Sequence, residues 1–311
     1  MLIIRLLIPR LLAAAGVILG VMCLVFFLLH LVPGDPVDVM LGESAQPTDK
    51  EALRQAMGLH QPLHVQLMQY LNNVFHLDLG RSLHSGRPIS ELLLARLPAT
   101  LELSLAALTI ALCLAVPLGV LAAVKKGSLW DAGTMGFALL GVSIPNFWLG
   151  PMLILVGALW LGWFPVSGRD GLLSLVLPAF TLGTAMAAIL SRMIRSTLLE
   201  VLTEDFIRTA RAKGLTDWAI TLRHGLRNAL LPVITLLGLQ LGALLGGAVI
   251  TETVFSWPGV GSLVIEAIQR RDYPVVQASV LLISFSYVVV NVVTDLAYAW
   301  VDPRLRLRNA S

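Results

Sequence analysis

The sequence predicts an all-α polytopic membrane protein with six transmembrane helices and a small helical insertion after the first. Of its 311 residues, 57% are hydrophobic and 13% are charged, whereas soluble domains carry about 25% charged residues. This composition excludes a soluble enzyme, a nucleic-acid binder and a disordered scaffold. Six apolar stretches contain no charged residue, and each exceeds the roughly 18–20 residues that a helix needs to span a bilayer. They are residues 11–34, 103–124, 132–168, 171–191, 228–251 and 273–294.

The basic residues indicate how these spans are oriented. Six crossings place both termini on one side, together with the loops at residues 125–131 and 192–227. That side holds most of the 22 Lys and Arg residues, so the positive-inside rule makes it the cytoplasm. The first stretch is predicted to be an uncleaved span, because its apolar run is long for a signal sequence and Ala13–Ala15 precede that run.

The third stretch is long enough to hide two short spans, and it contains Pro145 and Pro151. Two spans would place residues 192–227 outside the cell, against the charge rule. We therefore predict one kinked span over residues 132–161. Trp160, Trp163 and Phe164 would then lie at the outer interface.

The outer segment, residues 35–97, carries the signals of three short helices. These signals are Thr48 with Glu51 as a capping box, a stop at Gly58, Pro62 at a first helical position, and Pro88 opening a helix that ends before Pro98. Two interpretations stay open. The segment is either a small helical cap over the spans or a docking surface for a soluble partner.

The inner loop, residues 192–227, contains a short helix with its own capping signals. Thr203 is the predicted N-cap, Glu204 and Asp205 follow in the first turn, where the helix dipole favours anions, and Gly214 ends the helix. One face carries Phe206, Ile207 and Ala210, while the basic residues Arg208, Arg211 and Lys213 come later along the helix. The helix is either an ordinary surface helix at the lipid boundary or a docking element for a cytoplasmic partner.

The outer loop, residues 252–272, contains an aromatic turn followed by an amphipathic stretch at residues 263–268. The turn comprises Phe255, Ser256, Trp257, Pro258, Gly259, Val260 and Gly261. Either Trp257 anchors the loop at the membrane interface, or the turn forms a gate over a translocation path.

Several kinds of chemistry are missing from the sequence. It has no Gly-x-x-x-x-Gly-Lys phosphate loop, no His-Glu-x-x-His zinc motif and no Gly-x-Ser-x-Gly nucleophile elbow. His60 and His64 have helical spacing, but Pro62 lies between them and no carboxylate or thiolate cluster accompanies them. We predict no catalytic residue and no metal site, and we interpret these histidines as solvated.

Two acidic residues fall within predicted spans. Asp295 lies in the inner third of the last span, where an ionisable side chain faces either a pathway or a partner helix. The structural alternative, which we favour, pairs it with a basic residue such as Arg192. Glu102 lies near the outer boundary and is expected to contact water.

A set of short motifs then identifies a family. In order and spacing they resemble, from end to end, the membrane permease subunits of bacterial dipeptide, oligopeptide, nickel and opine ABC importers. The motifs are Pro33-Gly34-Asp35-Pro36, Gly58-Leu59-His60-Gln61-Pro62-Leu63, Leu77-Asp78-Leu79-Gly80, Leu97-Pro98-Ala99-Thr100, Ser143-Ile144-Pro145-Asn146-Phe147, the inner loop with Arg208-Thr209-Ala210-Arg211-Ala212-Lys213-Gly214, Trp257-Pro258-Gly259-Val260-Gly261, and Arg271-Asp272-Tyr273-Pro274.

The resemblance implies a type I ABC importer permease fold and a set of partners. A second, homologous permease chain would complete the channel, two cytoplasmic ATPases would bind ATP and Mg²⁺, and a periplasmic or lipid-anchored binding protein would deliver cargo. This chain would itself need no cofactor and would not be an enzyme. The implied organisation is a first span in residues 1–34, a periplasmic insertion in 35–97, a five-span core in 98–301 with the coupling loop at 192–227, and a cytoplasmic tail in 302–311.

The same resemblance assigns roles to residues. The helix at residues 204–213 would sit in an ATPase groove, with Phe206 and Ala210 buried there and Arg208 and Arg211 on an acidic rim. The general permease pattern Glu-Ala-Ala-x-x-x-Gly is matched here only at Ala210 and Gly214, which leaves Glu204 or Asp205 to replace its leading acid. The outer turn, with Arg271, Asp272 and Tyr273 beyond it, would form the periplasmic gate.

The cargo is the least determined property. The resemblance favours short peptides, and nickel or metallophore complexes, opines and glutathione-like tripeptides remain alternatives. A secondary transporter is the rival from another class. It would need an inverted repeat and buried ion-coupling groups, neither of which is visible in the sequence.

Overall fold

The computed structural model describes residues 2–31, 37, 46–56 and 59–301, and in these ranges helices dominate. The helices are α1 (Leu2–Leu31), α2 (Pro47–Ala56), α3 (Leu63–Phe75), α4 (Ile89–Val124), α5 (Leu129–Ser143), α6 (Asn146–Leu153), α7 (Leu172–Val201), α8 (Asp205–Ala212), α9 (Asp217–Ala219), α10 (Arg227–Val254), α11 (Val260–Gln269) and α12 (Tyr273–Val301). Two π-helical segments continue α6 over Ile154–Trp160 and join α9 to α10 over Ile220–Leu226.

The predicted helical membrane fold is confirmed. Four regions of the described chain are long and apolar enough to cross a bilayer, in α4, α7, α9 through α10, and α12, and the bent pair of α5 and α6 is a candidate fifth span. The first predicted span overlaps α1, whose described apolar part, Leu12–Phe27, is shorter than the four span-length regions. The Pro33–Pro36 turn, Gly58 and the tail at 302–311 lie outside the described residues.

The third charge-free stretch is bent far more strongly than a proline kink. α5 and α6 meet at an angle of 104°. The break lies at Ile144, which is extended (φ −86°, ψ 116°), and at Pro145. Proline lacks an N–H group and disfavours helical backbone in the residue before it, so one helix cannot continue through this point. The expected single kinked helix is therefore two helices.

Two helix boundaries differ from the predictions. α4 runs without interruption through Pro98, so the short helix expected to end there is the beginning of a long one. α2 begins at Pro47, one residue before Thr48, which rules out Thr48 as its N-cap. Glu51 forms an ion pair with Arg54 at 2.9 Å instead of closing a capping box. In both cases the sequence correctly indicates a helix, but the helix extends beyond the residue predicted to bound it.

One compact unit comprises Ile3–Ala99 and Pro258–Ser286. Within it, α1 packs on α3 through the stacked rings of Phe26 and Tyr70, whose centroids are 5.9 Å apart. The beginning of α4, α11 and the beginning of α12 share a buried apolar core. Its members are Ile89, Leu93, Val260, Leu263, Ala267, Val275 and Ala278.

The second compact unit comprises Thr100–Trp257 and Tyr287–Ser311, as far as the chain is described. α7 is its most buried span, with Leu190, Ile194 and Leu198 fully inaccessible to solvent. α4 approaches α7 closely at Gly183, where a Cβ atom would lie 2.8 Å from the carbonyl oxygen of Ala107. Small residues at helix crossings let membrane helices pack backbone against backbone, so α7 forms the centre of this unit.

Candidate functional site

The segment between the spans α7 and α10, residues 202–226, is the first candidate site, and we call it the α8 segment. α8 begins one residue later than the sequence predicts. Glu204 occupies the N-cap position, and the Thr203 hydroxyl donates to the Glu200 carbonyl oxygen (2.7 Å), so Thr203 is not the cap. Asp205 lies in the first turn and Arg211 in the last, which matches the helix dipole at both ends.

One face of α8 is buried inside this chain. Ile207 is fully buried and Ala210 nearly so, and both pack against Ile220 of the π-helical segment, with Leu202 beside them. The expectation that Ala210 enters a partner's groove is therefore wrong, because the residue is already covered by its own chain. This packing ties α8 to the segment that leads into α10.

Several large apolar side chains of the α8 segment remain exposed. Phe206 is 43% exposed and Trp218 is 65% exposed, and Leu215 and Leu222 are also accessible. α8 therefore buries Ile207 and Ala210 against its own chain and leaves part of the Phe206 ring accessible to a partner.

The charged residues of α8 form exposed ion pairs. Arg208 lies 3.4 Å from Asp205, and Arg211 lies 3.6 Å from Asp217 at the start of α9. Exposed pairs of this length contribute little to stability. Both guanidinium groups can therefore exchange these partners for carboxylates on another protein.

The turn between α8 and α9 depends on Gly214, whose φ of +79° is rarely adopted by other residues. The Thr216 side chain then caps α9 by accepting from the backbone N–H of Ala219 (3.4 Å). Lys213, the C-cap residue of α8, is exposed. The chain from α8 to α10 is thus helical except for the short connection at residues 213–216, and it is suited to transmit a displacement.

The aromatic turn after α10 is the second candidate site. Trp257 is 0% exposed and Phe255 is almost completely buried. Trp257 donates its backbone N–H to the Glu252 carbonyl oxygen (2.7 Å), and the Arg169 guanidinium lies 5.9 Å from its ring centroid. An interfacial anchor needs its indole at the level of the lipid headgroups, so the anchor interpretation of Trp257 is wrong. Gly259 and Gly261 are buried as well, and Pro258 is partly buried.

The carboxylates near this turn are paired. Glu102, expected to contact water, is partly exposed and bonded to the Arg169 guanidinium at 2.6 Å and 2.9 Å. Glu252, which the sequence placed in the outer loop, lies inside α10, is fully buried and accepts a hydrogen bond from the Thr100 hydroxyl (2.7 Å). Asp295 lies on α12, and its side chain is outside the described part of the structure.

Asp272 organises a loop that the sequence did not connect to it. The residue is buried, and its carboxylate accepts from the Ser82 hydroxyl (2.5 Å), the Leu83 N–H (3.1 Å) and the His84 N–H (3.4 Å). Arg271, which is exposed, has a left-handed backbone (φ 55°) at the turn before Tyr273 opens α12. The motif Arg271-Asp272-Tyr273-Pro274 singled out Asp272 in the sequence, but it did not show that Asp272 bonds to the loop at residues 82–84.

We expect Asp272→Ala to destabilise this compact unit. The substitution leaves one hydroxyl and two backbone N–H groups without their acceptor, a loss of about 1–3 kcal/mol. Amide exchange at Leu83 and His84 should accelerate accordingly. Asp78→Ala is the matched control, since the exposed Asp78 accepts only from the Gly80 N–H. Equal exchange rates in the two variants would contradict the assigned role of Asp272.

The Asp131–Arg195 pair is a further feature that the sequence did not reveal. The Arg195 guanidinium makes two hydrogen bonds to the carboxylate of Asp131, which is 6% exposed. The backbone N–H of Gly127 adds a third at 2.9 Å. The pair joins the beginning of α5 to α7 within one unit, and α8 follows α7 along the chain.

Comparisons with known proteins agree with one another. The model of the binding-protein-dependent transport system inner membrane component matches residues 115–307, and the model of the N-terminal part of such components matches residues 3–105. The dipeptide transport system permease protein DppB of Escherichia coli (strain K12) is 44% identical, with 93% of this chain and 94% of that protein covered. The di/tripeptide transport system permease protein DppB of Pseudomonas aeruginosa (strain UCBPP-PA14) is 46% identical, with 92% and 94% covered.

Another relative is the glutathione transport system permease protein GsiC of Salmonella choleraesuis (strain SC-B67), which is 42% identical with 96% of this chain and 98% of that protein covered. Among solved structures, an inward-facing MetNI methionine ABC transporter chain has a TM-score of 0.58 at 21% identity. That alignment covers 70% of this chain and 99% of the other. The structural likeness establishes the fold.

Proposed function

The chain belongs to the family of binding-protein-dependent transport system inner membrane components, and we propose that it is the permease subunit of an ATP-driven importer of short peptides. Peptides are favoured because the similar permeases are named for dipeptide, di/tripeptide and glutathione transport. All three cargoes are small molecules that contain peptide bonds.

The energy for transport comes from partner subunits in this proposal. The sequence has no Gly-Lys dipeptide, so it cannot form a phosphate-binding loop of the Gly-x-x-x-x-Gly-Lys type. Two cytoplasmic ATPases bind ATP and Mg²⁺, a second permease chain completes the channel, and a binding protein supplies cargo from outside. The chain lies in the bacterial inner membrane with both termini in the cytoplasm, as the distribution of Lys and Arg favours.

The α8 segment is the proposed coupling element. Phe206 enters a groove of an ATPase, and Arg208 and Arg211 contact carboxylates on its rim. Ile207 and Ala210 hold α8 against Ile220. Because packed interfaces move as units, closure of the ATPases displaces α8 together with the start of α10. The burial of Ile207 and Ala210 within this chain, together with the exposure of Phe206, is the observation that carries this proposal.

The aromatic turn after α10 is the proposed outer gate. Trp257 and Phe255 are buried at the end of this span, and Ser256 between them has a left-handed backbone (φ 49°). The Gly168 N–H donates to the Phe255 carbonyl oxygen (2.9 Å), so the loop before α7 is linked to the turn. A displacement of α10 therefore reaches both elements.

Phe206→Ala is expected to weaken ATPase association about tenfold. Removal of a half-exposed phenyl ring loses part of the roughly 1.5–3 kcal/mol that burying a whole Phe side chain contributes. Copurification of the ATPases and ATP-dependent peptide uptake by proteoliposomes should both fall. Phe75→Ala is the matched control, since Phe75 is 74% exposed on α3. Unchanged association in Phe206→Ala would remove α8 from the ATPase interface.

Transport by the reconstituted complex tests the function itself. Proteoliposomes that contain this chain, the second permease and the ATPases should accumulate a labelled tripeptide only when ATP and the binding protein are present. Accumulation driven by an ion gradient without ATP would identify a secondary transporter and overturn the proposal.

A further inference from the structure

A small cavity with two carboxamide side chains lies among the spans of the second compact unit. It has a volume of about 140 Å³. Asn146 lines it from α6, Gln240 and Leu244 line it from α10, and α7 contributes residues from Leu182 to Ile189. We call it the amide cavity. None of its residues belongs to the α8 segment or to the aromatic turn.

The amide cavity lies deep in the apolar part of the chain. Gln240 is at the middle of the charge-free stretch 228–251, and Met186 is at the middle of α7. Gln240 lies about three helical turns from the nearest charged residue on α10, and Met186 lies between one and two turns from Arg192 on α7. Polar side chains at this depth are costly and face either a cavity or another helix.

Neither carboxamide is satisfied within the described part of the chain. The side chains of Asn146 and Gln240 form no hydrogen bond with any other described residue, and Asn146 does not cap α6. An unpaired amide in hydrocarbon costs several kcal/mol, so these groups require a polar partner or water in the cavity.

The break between α5 and α6 provides an independent indication. Asn146 follows the extended residue Ile144 and Pro145 at a bend of 104°. Non-helical backbone at membrane depth is tolerated only where protein buries it or where it lines a water-filled cavity. The amide cavity lies at this break. The sequence motif Ser143-Ile144-Pro145-Asn146-Phe147 thus places a carboxamide at the point where the helix is interrupted.

We propose that the amide cavity binds a peptide bond of the cargo during translocation, an inference that rests on the proposed function. A carboxamide offers one acceptor and two donor hydrogens, which complement the N–H and C=O of a peptide bond in any sequence. The apolar side chains of Leu182, Met186 and Leu244 complete the lining without selecting a particular cargo side chain.

Size and ligand chemistry restrict what the cavity accepts. At about 30 Å³ per water molecule, 140 Å³ has room for a few waters or a single peptide unit. The cavity therefore contacts one peptide bond at a time. Among the described residues that line it there is no carboxylate, imidazole or thiol, so a nickel cargo would find none of the imidazole ligands that suit it.

Asn146→Leu and Gln240→Leu test the proposal in the complete reconstituted complex. Each variant should lower ATP-dependent uptake of a labelled tripeptide about tenfold, because the peptide bond loses its hydrogen-bonding partner. ATPase copurification and binding-protein-stimulated ATP hydrolysis should persist. Gln55→Leu is the matched control, since it removes the same side chain from the exposed surface of α2. Normal uptake in both cavity variants would overturn the assignment.

A cross-linking experiment keeps the test decisive if a variant assembles poorly. With Ile189→p-benzoylphenylalanine in an otherwise unmodified chain, ultraviolet light should link the labelled tripeptide to this chain during ATP-driven turnover. Cross-links only to the second permease chain, or none to the peptide, would show that the cavity is not on the cargo path.

If the unmodified complex takes up no peptide with ATP, the proposed function itself fails. If it does and the cavity variants behave normally, only the cavity assignment fails.

Discussion

Arg195→Met is expected to remove most of the correctly assembled protein. The Asp131 carboxylate is almost completely buried and accepts two hydrogen bonds from the Arg195 guanidinium. Without that group the carboxylate would stay buried with only the Gly127 N–H as a described hydrogen-bond donor. Breaking one side of a buried ion pair is strongly destabilising, because the remaining charge loses its compensation. We expect about tenfold less monodisperse protein after detergent extraction and size-exclusion chromatography.

Arg192→Met provides the matched control for that experiment. Arg192 lies on the same helix, one turn earlier, and is exposed. No ion pair joins it to another described residue. Its removal should leave the yield unchanged, and a reduced yield would instead support the pairing of Arg192 with Asp295 that the sequence suggests. The double variant Asp131→Asn with Arg195→Met should recover much of the loss, since both charges are then absent. Equal yields from Arg192→Met and Arg195→Met would show that the pair does not stabilise the fold.

The membrane spans were predictable because their signal is local. The charge-free stretches 11–34, 103–124 and 171–191 coincide with α1, α4 and α7, since the length of an apolar run decides whether a helix can cross a bilayer. The starting points of helices were less predictable. A proline usually marks a helix boundary, yet α4 continues through Pro98.

The environment of single residues could not be derived from the sequence. A helical wheel places Phe206 and Ala210 on one face, but it cannot show that Ile220, ten residues after Ala210, covers only Ala210. Trp257 looks like an interfacial residue because it lies beyond a span, whereas the structure buries it entirely. Asp131 and Arg195 are 64 positions apart, and no local pattern connects them. Each of these facts depends on tertiary contacts.

Gly183→Val is expected to prevent α4 and α7 from packing. A Cβ atom at Gly183 would lie 2.8 Å from the carbonyl oxygen of Ala107 and 2.9 Å from Cβ of Ile110. Neither neighbour is the mobile end of a side chain, so the two helices must move apart. Overpacking typically costs 1–3 kcal/mol, and a clash with backbone should cost about 3 kcal/mol or more. The thermal stability of the detergent-solubilised protein measures this loss, and Gly183→Ala should fall between wild type and Gly183→Val.

Gly136→Val separates steric packing from the general effect of adding a side chain. Gly136 lies within α5, and a Cβ there would meet no atom within 4 Å. The same exchange in open space should change stability little. Because α7 is in contact with α5, α6 and α10, approaches α4 at Gly183 and also leads into α8, the loss at Gly183 should abolish peptide uptake as well. Equal thermal stability of the Gly136 and Gly183 variants would show that the α4–α7 approach is not a close backbone contact.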